Sequence, residues 1–330
     1  MSKQAFDRKL DQIEALRADP SPVNALRKAL ADRNNYLVAK AAAIAAGRGL
    51  DELIPDLAAA FQRFLLDPVK SDPQCWAKNA IVKALKDLDY PEPDFFVRGL
   101  CYRQREPCWT GSDGGGRGYV DTATTLRGES ALALVMCPLP RSGILTHLVD
   151  ALGDPEKPVR VEAARAIAQL AGPDSLLLLR LKAICGDRES EVVGQCFAGM
   201  LAISPVDSIA FIASFLDLPE EDAAIEAAAA LGESNDPAAL QILREKWSAH
   251  KDPGIRRAIL LSLGGSRLQS AAEFLLTVVA DGPSEDASHA IRALAAGRFR
   301  DEFRTRVTLI LEARANLRPV FEREFRSVTC

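Results

Sequence analysis

Residues 159–167 have the sequence VRVEAARAI. Residues 126–134, LRGESALAL, have apolar residues, an arginine and small residues at the same positions of the segment. Weaker copies of this nine-residue pattern begin at residues 192, 223, 255 and 286. The six starting positions are separated by 33, 33, 31, 32 and 31 residues. A nearly constant period of this length is typical of proteins built from stacked structural repeats. The spacing of apolar residues within each copy predicts a helix with one buried face.

Each repeat is predicted to be a helical hairpin, because turn-forming residues precede the patterned helix. Asp-Pro or Gly-Asp turns recur there, at residues 72–73, 153–155, 186–187, 251–253 and 281–283. An Asp side chain accepts free N–H groups at a helix start, and Pro fits the first helical turn. Two looser copies, at residues 38–43 and 76–81, precede the six regular ones. The sequence therefore predicts one domain over 1–330, with an N-terminal helix at 1–20, repeats at 21–297 and a cap at 298–330.

The turn Asp, the apolar-Arg pair and the Ala-Ala-x-Ala-apolar ending resemble HEAT repeats of the short bacterial type. Similar repeats occur in phycobilin-lyase-like proteins. This resemblance implies an all-α fold, a right-handed, armadillo-like α-solenoid (α-α superhelix) of about eight HEAT-like helical-hairpin repeats. It also implies that the first helices form the convex face and the second helices the concave face. A fold of this kind hosts many functions, so the resemblance does not identify an activity.

Charge is unevenly distributed along the chain and disfavours a nucleic-acid partner. The net charge is −4, but residues 151–297 carry 13 basic and 21 acidic groups, a net charge of −8. Nucleic-acid-binding proteins usually present a basic working surface. The start of the chain is charged, no apolar run is long enough to span a membrane, and the seven cysteines are scattered. These features predict a cytoplasmic protein with reduced thiols.

One insertion interrupts the period. Trp76 and Leu126 hold equivalent positions but lie 50 residues apart, so about 17 residues are extra. The extra residues correspond to a predicted loop at 103–120, reading RQREPCWTGSDGGGRGYV. Insertions in solenoids often lie on the binding side, and Trp, Tyr and Arg often dominate interface energies. The candidate partner-binding residues are Arg103, Arg105, Trp109, Arg117 and Tyr119. The alternative is a loop whose Trp109 ring folds back onto the repeats.

The recurrent Asp and Arg positions have a structural interpretation. Asp and Arg recur six residues apart in successive repeats, which predicts a hydrogen-bonded ladder between neighbouring repeats. The predicted ladder residues are Asp121, Arg127, Asp154, Arg160, Asp187 and Arg256. Since Asp121 and Arg127 occupy the same positions as Asp154 and Arg160, they are not interpreted as catalytic.

No catalytic, metal-binding or cofactor-binding constellation is recognisable in the sequence. No Cys-x-x-Cys pair occurs, and none of the three histidines is followed by Glu, as the resemblance to HEAT-like deoxyhypusine hydroxylases would require. The predicted function is a non-enzymatic scaffold that binds a protein through its concave face and the insert. The alternatives are a HEAT-like DNA-binding protein or alkylpurine DNA glycosylase, and a phycobilin-lyase-like protein that binds a small ligand.

Overall fold

The computed structural model of the protein describes residues 2–110 and 116–326, with every side chain in these ranges except those of residues 109, 110, 116 and 117. The chain divides into two compact units, Met1–Leu170 and Ala171–Cys330. The prediction of a single domain over 1–330 stays a prediction. No helix of the described ranges is both long and apolar enough to cross a lipid bilayer.

The first unit contains four helical hairpins, counted over its described residues, preceded by one helix. The hairpins are α2–α3, α4–α6, α7–α8 and α9–α10. The helices and strands are α1 (Lys3–Ala15), α2 (Val23–Leu30), α3 (Asn35–Gly47), α4 (Ile54–Phe64), α5 (Pro68–Ser71), α6 (Trp76–Asp87), α7 (Pro93–Cys101), β1 (Arg105–Thr110), β2 (Gly116–Asp121), α8 (Thr124–Leu134), α9 (Arg141–Leu152) and α10 (Lys157–Leu170). The second helices α3, α6, α8 and α10 pack side by side in that order.

The second unit repeats this arrangement in the part of it that is described. Its hairpins are α11–α12, α13–α14, α15–α16 and α17–α18, and two further helices follow. The helices are α11 (Gly172–Cys185), α12 (Ser190–Ile203), α13 (Pro205–Ser214), α14 (Glu221–Glu233), α15 (Pro237–Ala249), α16 (Pro253–Gly264), α17 (Gln269–Asp281), α18 (Ser284–Ala296), α19 (Arg300–Ala313) and α20 (Arg318–Glu324). Helices α12, α14, α16 and α18 pack in a row, and α19 and α20 pack against α17 and α18.

The buried faces of the second helices explain why the nine-residue pattern recurs. In α10, Ala163, Ala164 and Ala166 are fully buried. Small side chains allow neighbouring helices to approach closely, and alanine is also the most favourable residue in a helix. Both units are stacks of helical hairpins, so the predicted all-α solenoid class is confirmed.

Glycines at the ends of second helices lie against the backbone of the next second helix in the second unit. A Cβ atom added to Gly232 would lie 2.8 Å from the Ser262 carbonyl oxygen of the next second helix. A Cβ atom added to Gly264 would lie 2.7 Å from the Ala293 carbonyl oxygen in the following repeat. Equivalent glycines therefore permit the same backbone approach in successive repeats.

The insert differs from the predicted loop at 103–120. Strands β1 and β2 form a two-stranded antiparallel sheet, whereas the sequence predicted no strand. The strands are short and carry Pro, Cys and Gly, so the alternation of apolar and polar residues in their sequence is weak. The glycine-rich run between them is also typical of a flexible linker. Two six-residue segments flanking a Gly-containing connection are nevertheless a recognised hairpin pattern.

Candidate partner-binding surface

The hairpin is anchored at its base by a buried carboxylate on β1. The Glu106 side chain is 5% exposed. Its Oε1 atom accepts hydrogen bonds from Gln74 N at 2.7 Å, Gln104 Nε2 at 2.8 Å and Thr122 Oγ1 at 2.7 Å. Hydrogen bonds to an ionised acceptor are stronger than those between neutral groups. Glu106 therefore joins both ends of the hairpin to the turn that precedes α6.

A buried ion pair joins that turn to the first turn of α6. Asp72 and Lys78 are both fully buried, and Lys78 Nζ lies 2.8 Å from Asp72 Oδ2. The Asp72 carboxylate also accepts the backbone N–H groups of Ala77 and Lys78. The Gln104 side chain donates to the Asp72 carbonyl oxygen at 2.7 Å. Because a buried ion pair needs several hydrogen bonds to offset its desolvation, these contacts fix the turn against the hairpin.

Left-handed backbone at Gln74 and Cys75 follows the Asp72 turn. Their φ angles are 60° and 55°, values that side-chain-bearing residues rarely adopt. Burial raises the pKa of the Cys75 thiol to about 12.

The next residue, Trp76, begins α6 and is 49% exposed, and its ring contacts the Tyr36 ring of α3 edge-on at 5.5 Å between ring centres. The strained turn thus places an exposed tryptophan at the start of a second helix.

Arg127 connects the end of the hairpin to the next repeat. Its side chain is fully buried. Its Nη1 atom donates to Asp121 Oδ2 at 2.8 Å, while Nε and Nη2 donate to the two carboxylate oxygens of Asp154 at 3.0 and 3.2 Å. Arg103 lies 2.8 Å from the same Asp154 carboxylate. Glu106, Asp121 and Arg103 therefore tie the hairpin to three consecutive repeats.

The other predicted ladder residues have the following contacts. Arg160 Nη1 donates to the carbonyl oxygens of Asp154 and Pro155 at 2.9 and 3.1 Å. Asp187 accepts a hydrogen bond from Lys182 Nζ at 2.7 Å. Arg256 forms an ion pair with Asp286 of the following second helix. Each of these three residues is thus held by a side chain or a backbone carbonyl of its own or the neighbouring repeat.

The predicted ladder and partner-binding residues did not include four anchoring residues: Asp72, Lys78, Gln104 and Glu106. The signal for the first two was present, since Asp72 lies six residues before Lys78, as Asp121 lies six before Arg127. Lysine in place of arginine concealed this equivalence. Gln104 and Glu106 had no equivalent elsewhere, because they belong to the insert.

One side of the hairpin is exposed. Arg105, Pro107 and Tyr119 belong to the same face of the sheet, because Pro107 pairs with Tyr119 and residues two apart share a face. Tyr119 is 64% exposed, and the Arg105 guanidinium lies 5.5 Å from the centre of its ring. We call these three residues the Tyr119 face. Trp109 pairs with Arg117 in the register, and both of these predicted side chains lie outside the described residues.

The five predicted binding residues therefore have different positions. Arg105 and Tyr119 are exposed and in contact with each other, whereas Arg103 is engaged in the anchor through Asp154. Within residues 2–110 and 116–326, no three His, Cys, Asp or Glu side chains are grouped so that they could hold a metal ion.

Comparison with known proteins identifies the repeats in part of the chain. The family model for HEAT repeats matches residues 209–295, so the predicted resemblance is confirmed for this segment. A search of curated proteins found no match.

Three solved structures are similar in fold. One is the complex of CpcE and CpcF of phycocyanin lyase from Nostoc sp. PCC7120, which is 21% identical in sequence and has a TM-score of 0.33. The match covers 72% of the present protein and 88% of the matched lyase chain. Human deoxyhypusine hydroxylase in complex with glycerol is 17% identical in sequence, with a TM-score of 0.29. The match covers 80% of the present protein and 90% of the hydroxylase chain. An engineered protein is 17% identical, with coverages of 100% and 93% and a TM-score of 0.36. Similarities at these identities and TM-scores carry no argument about function.

Proposed function

We propose that the protein is a non-enzymatic scaffold that binds a partner protein through its second helices and the Tyr119 face of the inserted hairpin. The observation that carries this proposal is the contrast between the two ends of the insert. Its base is held by the buried side chains of Glu106 and Arg127 and by Asp121, while Tyr119 remains 64% exposed. An insert built to cover the core would bury the Tyr119 ring instead of exposing it.

Rigid presentation favours binding. Ordering a mobile loop on binding costs free energy, so a surface that is already held in place binds more tightly for the same contacts. Tyr and Arg are also enriched among the residues that dominate interface energies. The Tyr119 face offers one of each in direct contact.

The buried charges support a scaffold more than an enzyme. Asp72 pairs with Lys78, and Arg127 pairs with Asp121 and Asp154, so each of these groups is used to join repeats. An acid–base catalyst would instead have to reach a substrate. Nucleic acid is disfavoured by the second unit, in which residues 171–240 carry 12 acidic and 3 basic residues, a net charge of −9.

Affinity capture from the native host's lysate tests the proposal. Deleting the insert is a poor experiment, because it would remove Glu106 and Gln104, which hydrogen-bond to Gln74 N and to the Asp72 carbonyl oxygen. The double variant Arg105→Ser/Tyr119→Ser removes only exposed side chains. Val120→Ser, on the opposite face of β2 and 43% exposed, is the matched control.

We expect the wild type and Val120→Ser to capture the same protein and the double variant to lose it. Equal capture by all three proteins would show that the Tyr119 face does not bind the partner. Co-purification of nucleic acid without a protein would favour a nucleic-acid-binding function instead.

A further inference from the structure

A cavity lies in the second unit, between the turn that joins α11 to α12 and the turn that joins α13 to α14. The cavity there has a volume of about 580 Å³. Protein sites that bind small ligands or side chains usually fall between roughly 300 and 1,000 Å³. Its lining residues include Ile184, Cys185, Phe215, Leu218, Glu220 and Asp222. We call this cavity the α11–α14 groove.

The floor of the α11–α14 groove is apolar and partly open to solvent. Ile184 and Leu218 are 63% and 44% exposed, while Phe215 and Val193 are buried beneath them. Leu218 has an extended backbone after the short 3-10 turn Phe215–Asp217, so it does not fold into the core. Two large apolar side chains exposed in one concave site are typical of a binding surface.

The rim of the groove carries more acidic than basic residues, since Asp187, Glu220 and Asp222 line it together with one cation, Arg188. Residues 217–243 contain seven acidic residues and no Lys, Arg or His. Glu220 and Asp222 line the groove at the start of α14, and both are exposed. The carboxylates of Glu191 and Glu226 lie on the neighbouring part of the second helices. Burial raises the pKa of Glu226, and the nearby charges of Glu191, Asp222 and Glu233 raise it further. The groove therefore lies in a negative electrostatic field.

We propose that the α11–α14 groove binds a short basic segment of a partner protein, with an aliphatic or aromatic anchor on Ile184 and Leu218 and flanking Lys or Arg side chains on Glu220 and Asp222. The apolar floor selects the anchor, and the acidic rim selects the flanking cations. Complementary charges of this kind accelerate association and exclude partners of the wrong sign. The same field repels nucleic acid and anionic membrane surfaces. The groove is separate from the Tyr119 face, so either surface can fail its test without the other.

The test measures binding of a short synthetic amphipathic peptide of leucine and lysine to the full-length protein by fluorescence anisotropy. The comparison peptide has every lysine replaced by glutamate. We expect binding of the lysine peptide alone, and we expect added salt to weaken it, because salt screens exposed charges. Equal binding of the two peptides would overturn the proposal.

Matched variants locate the site. Glu220→Gln/Asp222→Asn removes two exposed rim charges and is expected to weaken binding about tenfold. Ile184→Ser/Leu218→Ser removes the apolar floor and is expected to weaken binding by a similar factor. The control Asp281→Asn/Glu285→Gln removes two exposed charges from the corresponding turn between α17 and α18. If the control weakened binding as much as the rim variant, general charge attraction would explain the binding and the proposal would be wrong.

Two native thiols provide an independent readout. Cys185 lines the groove and is exposed, whereas Cys101 is exposed in α7 of the first unit. We expect the bound lysine peptide to slow alkylation of Cys185 and to leave alkylation of Cys101 unchanged, as measured by mass spectrometry. Equal rates at Cys185 with and without saturating peptide would show that the peptide binds elsewhere.

Discussion

Arg127 is a fully buried cation that lies between two carboxylates from successive repeats. Removing one member of such a group leaves the remaining charges buried and unpaired, which costs about 3–5 kcal/mol. We therefore expect Arg127→Ala to lower the free energy of unfolding of the first unit by this amount, measured by urea denaturation.

An exposed contact between repeats provides the control for Arg127. Arg27 Nε lies 3.0 Å from Asp56 Oδ2, but the Arg27 side chain is 45% exposed. Exposed ion pairs contribute about 0–1 kcal/mol. Arg27→Ala should therefore have little effect, and equal losses for the two variants would contradict a special role of the buried pair.

Glu226 is expected to make the stability of the second unit depend on pH. Burial, with smaller contributions from the neighbouring carboxylates, raises the pKa of Glu226 above its ordinary value, although a hydrogen bond from Ser190 opposes this shift. The folded state therefore binds more protons than the unfolded state between the two pKa values, and stability falls as pH rises through that interval. Glu226→Gln removes this destabilisation, so its Tm at pH 7 should exceed that of the wild type by on the order of 1 °C.

Calorimetry at two pH values checks the sign of this effect. The Tm difference should shrink towards zero below about pH 4, where the unfolded carboxyl group is also protonated. A lower Tm for Glu226→Gln at neutral pH would mean that the carboxylate stabilises the fold.

At the residue scale, the sequence predicts the positions that recur and misses those that occur once. The spacing of Asp121, Arg127 and Asp154 indicated that they belong together, and they are in contact in the structure. Glu106 carried no such signal, because its burial depends on a tertiary contact with the turn at 72–75. A buried carboxylate in an insert cannot be distinguished from an exposed one by local pattern alone.

At the element scale, we expect the stability of the β1–β2 hairpin to depend on its anchoring contacts more than on the hydrogen bonds between its two strands. A two-stranded sheet is at best marginally stable in isolation. Glu106→Ala removes the acceptor of three hydrogen bonds, from Gln74, Gln104 and Thr122. We expect amide hydrogen exchange in residues 105–110 and 116–121 to accelerate at least about tenfold, since buried donors left without acceptors cost roughly 1–3 kcal/mol.

The exposed face of the hairpin supplies the control for Glu106. Tyr119→Ser changes a side chain that is 64% exposed and should leave exchange in these segments near the wild-type rate. Unchanged exchange in Glu106→Ala would show that the carboxylate does not hold the hairpin.

Helix crossings in the second unit depend on glycine. Gly264→Ala would place a Cβ atom 2.7 Å from the Ala293 carbonyl oxygen, which belongs to the backbone and has little freedom to move. Overpacking of this kind costs about 1–3 kcal/mol, and we expect a corresponding loss of stability in thermal unfolding. Gly47→Ala, at the end of α3, meets no atom within 4 Å and should be neutral or slightly stabilising. Equal effects of the two substitutions would contradict the close crossing.

The elements also show why helices were easier to predict than strands. Each helical hairpin repeats the same burial pattern at a nearly constant period, so one copy supports another. Strands β1 and β2 occur once, and the Pro107, Cys108 and Gly118 positions weaken their alternation. Their pairing became apparent only from the structure.

At the scale of the whole molecule, we propose that the two units bind partner proteins through different chemistry. The first unit presents Tyr and Arg on an anchored hairpin, and the second presents an apolar groove with an acidic rim. In solenoids each repeat contacts mainly its neighbours, so surfaces on distant repeats can change independently. Substitutions at Tyr119 and at Glu220 are therefore expected to act additively on the binding of a partner that contacts both.

Isothermal titration calorimetry of the purified partner from the capture experiment tests the scaffold proposal most directly. The titrated proteins are the wild type, Arg105→Ser/Tyr119→Ser and Val120→Ser, each as the full chain. Loss of a Tyr–Arg contact at the centre of an interface typically costs about 2 kcal/mol or more, so we expect the Kd of the double variant to rise at least about thirtyfold. We expect Val120→Ser to bind like the wild type. Equal Kd values for all three proteins would contradict a binding role for the Tyr119 face.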